Sequence, residues 1–308
     1  MKIYLSNLNE SWVVDRLRKD WYKENPDIST YSIKHSDIIW IISPWVWKKI
    51  SKRNLLNKKV ICSIYHIDFD KFDELQKKEF YKRDKYVDLY HVISDHTKNQ
   101  LEKLTQKKII SIPFWVDKTI FYEINDKQAI RDKYGIEGNK YLIGSFQRDT
   151  EGSDLKSPKL IKGPDIFFEI VKQIHSVNKN MEIILSGKRR NYLIDKLEEF
   201  KIPYKYFEMI QIHEVNELYN ILDLYIVSAR VEGGPQAIME CALNKTPIVS
   251  TDVGIAPQIL KQSSIFKDAE TFKNAKPDTN YAYKKASQYV IPNGMKMYIK
   301  MFMDVYEN

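Results

Sequence analysis

The stretch DLYIVSARVEGGPQAIMECALNKTPIVS, residues 223–250, decides the fold. A short apolar run (223–229) leads into a Gly-Gly-Pro turn at 233–235. A segment with apolar residues at helical spacing follows (235–243), and then a second apolar run (247–250). Short strand-like runs joined through a helix are the mark of parallel strands, which need such a crossover. Outward from this point the alternation repeats. YLIGSF (141–146) and MEIILSG (181–187) read as strands, while 164–177, 191–200 and 215–222 read as helices. Upstream, 2–6, 37–43, 59–65 and 89–94 are strand candidates, with helical stretches over 11–24 and 95–104, and IISIPFWVDKTIF (109–121) leads out of this part. The final NGMKMYIKMFMDVYEN carries Met295, Met297, Tyr298, Met301, Phe302 and Val305 at roughly helical spacing. The expected class is α/β, with two doubly wound parallel-sheet domains over 1–115 and 116–290, and a closing helix over 291–308 that packs back toward the first.

A length of 308 residues is enough for two domains, each with its own core. The hydrophobic fraction of 43% and charged fraction of 29% suit a soluble globular chain. No apolar run approaches the roughly 18 to 20 residues that span a bilayer, and MKIYLSNLNESW turns polar too early for a secretion signal. Cys62 and Cys241 sit far apart in apolar runs, as free thiols in a reducing cytoplasm do. The net charge of +8 is uneven: residues 1–115 hold 22 Lys+Arg against 15 Asp+Glu, and all six tryptophans (Trp12, Trp21, Trp40, Trp45, Trp47 and Trp115). That composition suits either an anionic membrane face or phosphorylated acceptor, or ordinary core tryptophans under a lysine coat. Nucleic acid is not expected as a partner, because no basic-aromatic recognition motif accompanies the charge.

Ligands of open parallel sheets bind beyond the carboxyl ends of the strands. Gln147, Arg148 and Asp149 follow the 141–146 run, with Lys162 ahead of Gly163-Pro164. Lys188-Arg189-Arg190 follow 181–187, and Arg230 and Glu232 follow 223–229. Cations gathered at several strand ends ask for an anion. At the Gly-Gly-Pro turn, Pro235 suits the first helical position, and Gly233 and Gly234 permit positive φ and close approach. The amides of Gln236 and Ala237 would then point at a phosphate, helped by the helix dipole. Glu240 lies two helical turns past Glu232, inside the apolar run Ile238–Leu243. An ionised carboxylate there needs a partner, either the two hydroxyls of a ribose or a lysine at the helix edge.

EGGPQAIMECALNKTPIVSTDVG resembles the glutamate-x7-glutamate signature of retaining glycosyltransferases of family 4, the glycosyl transferases group 1. IPFWVDKTIF, IGSFQR…KGPDIFFEIV and VNELYNILDLYIVSARVEGG are similar to further segments of that family, in its order. The resemblance is specific over about 109–254 and weak before it. It implies the GT-B architecture, two Rossmann-like domains facing across a cleft, with the sugar nucleotide on the second. It also implies roles: Arg148 and Lys162 on the donor diphosphate, Glu232 near the donor sugar, Glu240 on the ribose, and His66 reaching the sugar. Gly233, Gly234, Pro235, Gln236, Ala237 and Lys188 would complete donor binding. No metal or other cofactor is expected if Arg and Lys carry the charge.

The implied activity is retaining transfer of a sugar from a nucleotide-diphosphate sugar to a glycan or lipid-linked acceptor in bacterial surface polysaccharide synthesis. The implied location is the cytoplasm, at the inner membrane face. A sugar-nucleotide epimerase of the same architecture and a non-catalytic partner subunit are the alternatives. The sequence departs from the family in three places. SNLNESW stands where a glycine-rich loop is usual. The residues 149–161 put extra length between Arg148 and Lys162, so Lys156 or Lys159 could be the phosphate lysine. Asn244 replaces a helix-ending glycine, a change asparagine tolerates in a left-handed cap. Asp68-x-Asp70 has the look of a metal-holding pair but reads better as the start of a helix, and EMIQIHEV (208–215) is the candidate base-contacting loop.

Overall fold

The computed structural model describes residues 1–7 and 13–307. Trp12 and most of SNLNESW lie outside them. The chain divides into two compact units, Met1–Trp115 with Tyr289–Asn308, and Val116–Gln288.

The first unit is built in the order β1 (Ile3–Leu5), α1 (Val13–Glu24), β2 (Ile38–Ile41), α2 (Lys52–Asn57), β3 (Lys59–Ile64), α3 (Glu74–Asp84), β4 (Leu89–Val92), α4 (Asp95–Leu101) and β5 (Lys108–Ser111). The sheet is parallel throughout, in the spatial order β1-β2-β3-β4-β5. One detail makes it doubly wound. After α1 the chain touches the outer edge of β1 through a parallel bridge between Ile3 and Ser29, before crossing to β2 on the other side. The direction of winding therefore reverses between β1 and β2. Trp40 and Tyr90 show the two faces. Trp40 meets Trp21 of α1, at a ring-centroid distance of 5.7 Å, and Phe302 at 5.2 Å. Tyr90 stacks on Phe80 of α3 on the other face, at 5.8 Å. Strand side chains alternate between faces, and here both are covered.

The second unit runs α5 (Lys127–Lys133), β6 (Tyr141–Ser145), β7 (Thr150–Glu151), β8 (Ser157–Pro158), α6 (Pro164–Val177), β9 (Met181–Ser186), α7 (Asn191–Glu199), β10 (Tyr204–Phe207), α8 (Ile212–Ile221), β11 (Leu224–Val227), α9 (Gln236–Asn244), β12 (Ile248–Thr251), α10 (Ala256–Ile259), β13 (Ile265–Phe266) and α11 (Thr279–Ala286). Its main sheet is parallel, in the order β10-β9-β6-β11-β12-β13. The chain starts at the centre with β6, winds outward through β9 and β10, then returns to lay β11, β12 and β13 on the other side. The switch point lies between β6 and β11. The residues 149–161 fold largely as an antiparallel hairpin, β7 against β8.

The last helix, α12 (Lys296–Glu307), belongs to the first unit. Tyr298 donates from its hydroxyl to the carbonyls of Ile112 (3.0 Å) and Pro113 (3.2 Å). Tyr298, Met301, Phe302 and Val305 are its buried stripe. This packing takes three of the six tryptophans into the core. Trp21, Trp40 and Trp115 are fully buried around α12, while Trp45 is 49% exposed. Among the described residues no helix is long and apolar enough to cross a membrane.

Candidate functional site

The β6/β11 switch point brings Lys162 and Glu232 together. Beyond β6, Gln147 donates from its side-chain amide to the carbonyl of Lys162 at 2.8 Å. The chain reaches Lys162 through a 3-10 turn, Leu160–Lys162, and leaves it through Gly163 at φ 61°, ψ 40°. That is the left-handed region. A Cβ at Gly163 would lie 2.7 Å from the carbonyl carbon of Ser228 and overlap its oxygen, so glycine is needed for the turn to seat against β11. The amides of Arg230 (2.8 Å) and Val231 (3.0 Å) donate to the carbonyl of Ile161 and complete the seam.

Across this seam Lys162 forms an ion pair with Glu232, both side chains about one-fifth exposed. Burial, with Lys159 nearby, pushes the Lys162 ammonium down to about 8, and the Glu232 carboxylate opposes that push. Of the three lysines that could have met a phosphate, Lys162 stands at the switch point, while Lys156 lies exposed on the hairpin. Arg148 is exposed just beyond β6 and donates from Nε to the carbonyl of Thr150 at 2.8 Å.

The turn into α9 differs from expectation in its backbone. Neither Gly233 nor Gly234 has positive φ. That conformation falls on Gly163 and on Gly254 (φ 53°), whose α-carbon packs under the Glu232–Gly233 main chain, 2.5 Å from the Gly233 carbonyl carbon to a would-be Cβ. Close approach is therefore made onto the turn from β12's side. Thr251 supports the same place by donating to the carbonyl of Ala229 at 2.6 Å. Pro235 is the cap residue (φ −54°, ψ 114°) and not the first helical one; Gln236 and Ala237 open the helix, whose first amides have no partner within it. At the other end the left-handed cap is Lys245 (φ 54°), not Asn244, which is buried as the last helical residue.

Glu240 is 6% exposed. The Tyr219 hydroxyl of α8 donates to its Oε2 at 2.9 Å. Burial and the neighbouring Glu240 push that phenol far above its ordinary value, so it stays a donor. The Tyr219 ring is wedged against Phe146 at 4.9 Å and Tyr225 at 5.4 Å. Nothing in VNELYNIL distinguished Tyr219 from an ordinary core aromatic.

The Lys188-Arg189-Arg190 run splits three ways. Lys188 is exposed and Arg189 bends back to the Gly152 carbonyl at 3.2 Å. Arg190 is neither a phosphate contact nor a solvated loop residue: it is 1% exposed and pairs with Asp149 at 2.6 Å. Arg230 likewise is turned away from a ligand role, held in a two-pronged contact with Asp165 at 2.6 and 2.8 Å. In the 208–215 stretch, α8 begins at Ile212, capped by Gln211. His66 belongs to the first unit, exposed two residues beyond β3. Asp68 and Asp70 flank the start of a 3-10 turn, Phe69–Lys71.

A parallel sheet with a switch point, a left-handed glycine turn and cations at its crevice belongs to the class of nucleotide-binding α/β proteins. The comparisons refine this. The glycosyl transferases group 1 family matches residues 126–279, and the chain belongs to that family. Among solved structures, the Anabaena protein Alr3699/HepE, in complex with UDP and glucose, superposes with a TM-score of 0.75 at 12% identity, covering 99% of both chains. Sucrose-phosphate synthase from Thermosynechococcus elongatus gives 0.70 at 12% identity over 97% of this chain and 81% of that one. A glycosyltransferase from Rickettsia africae gives 0.66 at 16% identity over 98% and 84%. At such identities the likeness speaks to fold, here the two Rossmann-like domains of GT-B glycosyltransferases. A search of the curated proteins by sequence finds no match.

Proposed function

We propose that the chain is a retaining glycosyltransferase that works without a bound metal. It moves a sugar from a nucleotide-diphosphate sugar onto a glycan or lipid-linked acceptor in bacterial surface polysaccharide synthesis. The observation that carries this reading is the half-buried Lys162–Glu232 pair at the β6/β11 crevice. A desolvated ion pair is a weak source of stability. It makes sense where an incoming anion takes over one partner. A diphosphate would claim Lys162, with Arg148 beside it, and free Glu232 for a hydroxyl of the donor sugar.

Charge building up on the departing nucleotide would then meet two cations and the first amides of α9, Gln236 and Ala237, in a site that needs no reorganisation; such preorganised stabilisation is usually the largest rate term. Gly233, Gly234 and Pro235 shape the turn, Lys188 adds a further cation, and Glu240 receives the ribose. Retention would follow from attack on the face that the diphosphate leaves. The complexes of Alr3699/HepE with UDP and with UDP-glucose support trying a UDP-sugar first.

The acceptor is proposed to meet the basic first unit at an anionic membrane surface on the cytoplasmic side. Exposed Lys48, Lys49, Lys52, Arg53 and Trp45 support that reading. Failure to sediment with anionic liposomes at low salt would count against it. The test of the donor site is a thermal-shift panel of UDP, GDP, ADP, CMP and TDP in EDTA, repeated on Arg148→Ala. A ligand at a hundred times its dissociation constant stabilises by about 2.7 kcal/mol. One nucleotide that shifts the wild type and not the variant supports the reading; no shift from any of the five refutes it.

A further inference from the structure

We infer that Arg190, acting through Asp149, is a positioning residue that sets Arg148 and Lys162 for the donor diphosphate; the inference rests on the donor-site reading above. Arg190 uses all three guanidinium nitrogens inside the protein. Nε donates to Asp149 Oδ2 at 2.6 Å, Nη1 to the carbonyls of Ser145 (2.6 Å) and Ser186 (2.9 Å), and Nη2 to Ser145 Oγ (3.2 Å). The two carbonyls close β6 and β9, so one side chain bolts together the carboxyl ends of neighbouring strands. Only the rigid arginine fork can span such a set.

A buried ion pair adds little stability over apolar residues of the same size, so stability does not account for placing one here. Geometry does. From Asp149 two chains of hydrogen bonds run to the two cations. On one side Asp149 Oδ1 accepts from the Thr150 hydroxyl at 2.7 Å, that hydroxyl is fixed by the Tyr192 amide at 2.8 Å, and the Thr150 carbonyl accepts from Arg148 Nε at 2.8 Å. On the other side the Asp149 carbonyl accepts from the Lys159 amide at 2.7 Å, and the Lys159 carbonyl from the Lys162 amide at 2.8 Å. The hairpin between Arg148 and Lys162 is thus closed at its base by one residue. That residue is pinned by a guanidinium that touches no ligand itself. Extra length between the two cations is harmless because Asp149 resets their separation.

The test uses the full chain and asks about the diphosphate alone. Asp149→Leu with Arg190→Met removes both charges and keeps the volume, which buried pairs usually tolerate. Arg190→Lys is the second variant, keeping a charge for Asp149 but not the fork. Dissociation constants for UDP and UMP are measured on the wild type and both variants, with GDP and GMP or ADP and AMP substituted if the wild type prefers them. The expected result is a cooperative melt, monophosphate affinity within about twofold of wild type, and a preference for diphosphate over monophosphate reduced about tenfold, the size of one lost charge-assisted contact. An unchanged preference in a folded variant overturns the inference and leaves the donor site standing. A wild type that binds no nucleoside diphosphate overturns the donor-site reading itself, and the role of Arg190 with it.

Discussion

Tyr219→Phe removes the hydrogen bond that the Tyr219 hydroxyl gives to the buried carboxylate of Glu240. The substitution removes the donor 2.9 Å from Oε2 and leaves the ring in place against Phe146 and Tyr225. With Glu240 only 6% exposed, water is a poor substitute for the lost donor. A hydrogen bond to a charged group contributes about 1.5–3 kcal/mol. In a domain the size of the second unit, 1 kcal/mol moves the melting temperature by about 2–4 °C, so a fall of roughly 3–12 °C is expected.

Glu240→Gln should behave in the opposite way. Its side-chain oxygen still accepts from Tyr219, so stability changes little, while the ribose loses its anionic acceptor. The assay is paired: melts of each variant without ligand, and affinity for a ribonucleotide against its 2′-deoxy analogue. The wild type should prefer the ribonucleotide, Glu240→Gln should lose most of that preference, and Tyr219→Phe should lose part of it. If Glu240→Gln unfolds the protein yet keeps the preference, the glutamate is a structural residue. The ribose assignment then falls.

Three further outcomes follow from the same geometry. His91 is fully buried between the Ser63 hydroxyl (2.8 Å) and the Ile112 carbonyl (2.8 Å), and burial holds its imidazole down to about 4. The unfolded chain therefore binds the extra proton first, so stability is full above about pH 6.5 and declines by up to about 3 kcal/mol as pH falls toward 4. The buried tryptophans Trp21, Trp40 and Trp115 should report this in their fluorescence, and His91→Gln should flatten the acid limb. Lys162, held down to about 8, should make nucleoside diphosphate affinity fall with rising pH above that value. The midpoint should lie between there and the ordinary lysine value, since Glu232 and bound phosphate both favour the cation. A titration of affinity showing no alkaline fall, or one unchanged in Lys162→Gln, would contradict this. Gly163→Ala forces a side chain into the left-handed region and onto the Ser228 carbonyl. It should destabilise by at least about 2 kcal/mol, measured by denaturant melts, and a near-neutral result would mean that the 160–163 seam yields.

The apolar runs were legible because burial on both faces makes a strand nearly continuous in hydrophobic residues. That is why β6, β9, β11 and β12 stood out, as did α6 at Pro164–Val177. The elements that escaped lack this signal. Tyr204–Phe207 is an edge strand, half-buried throughout, with a lysine among its aromatics. Ile265–Phe266 is two residues long, and Lys108–Ser111 read as a way out of the first unit. Helix ends were less legible, because the left-handed residue after α9 is a lysine, Lys245, a type that carries no turn signature. The Ile3–Ser29 bridge that reverses the first sheet is a single pair, and no pattern announces it.

The site shows the same asymmetry in its charges. Position relative to strand ends picked out every cation correctly as lying near the carboxyl edge, but could not say which of them are already spent. Arg190 is consumed by Asp149 and two carbonyls, and Arg230 by Asp165. Arg189 turns to the hairpin. Each is satisfied by a group far away in sequence, so adjacency gives no warning. What is left is a smaller set, Arg148, Lys162 and the exposed Lys188, with Glu232 holding Lys162. On the donor-site reading, an anion site assembled this way gains selectivity from its poverty. Two cations set by one buried clamp can match the spacing of a diphosphate. Six loose ones would take any anion, and would leave the folded protein with repulsion that nothing offsets.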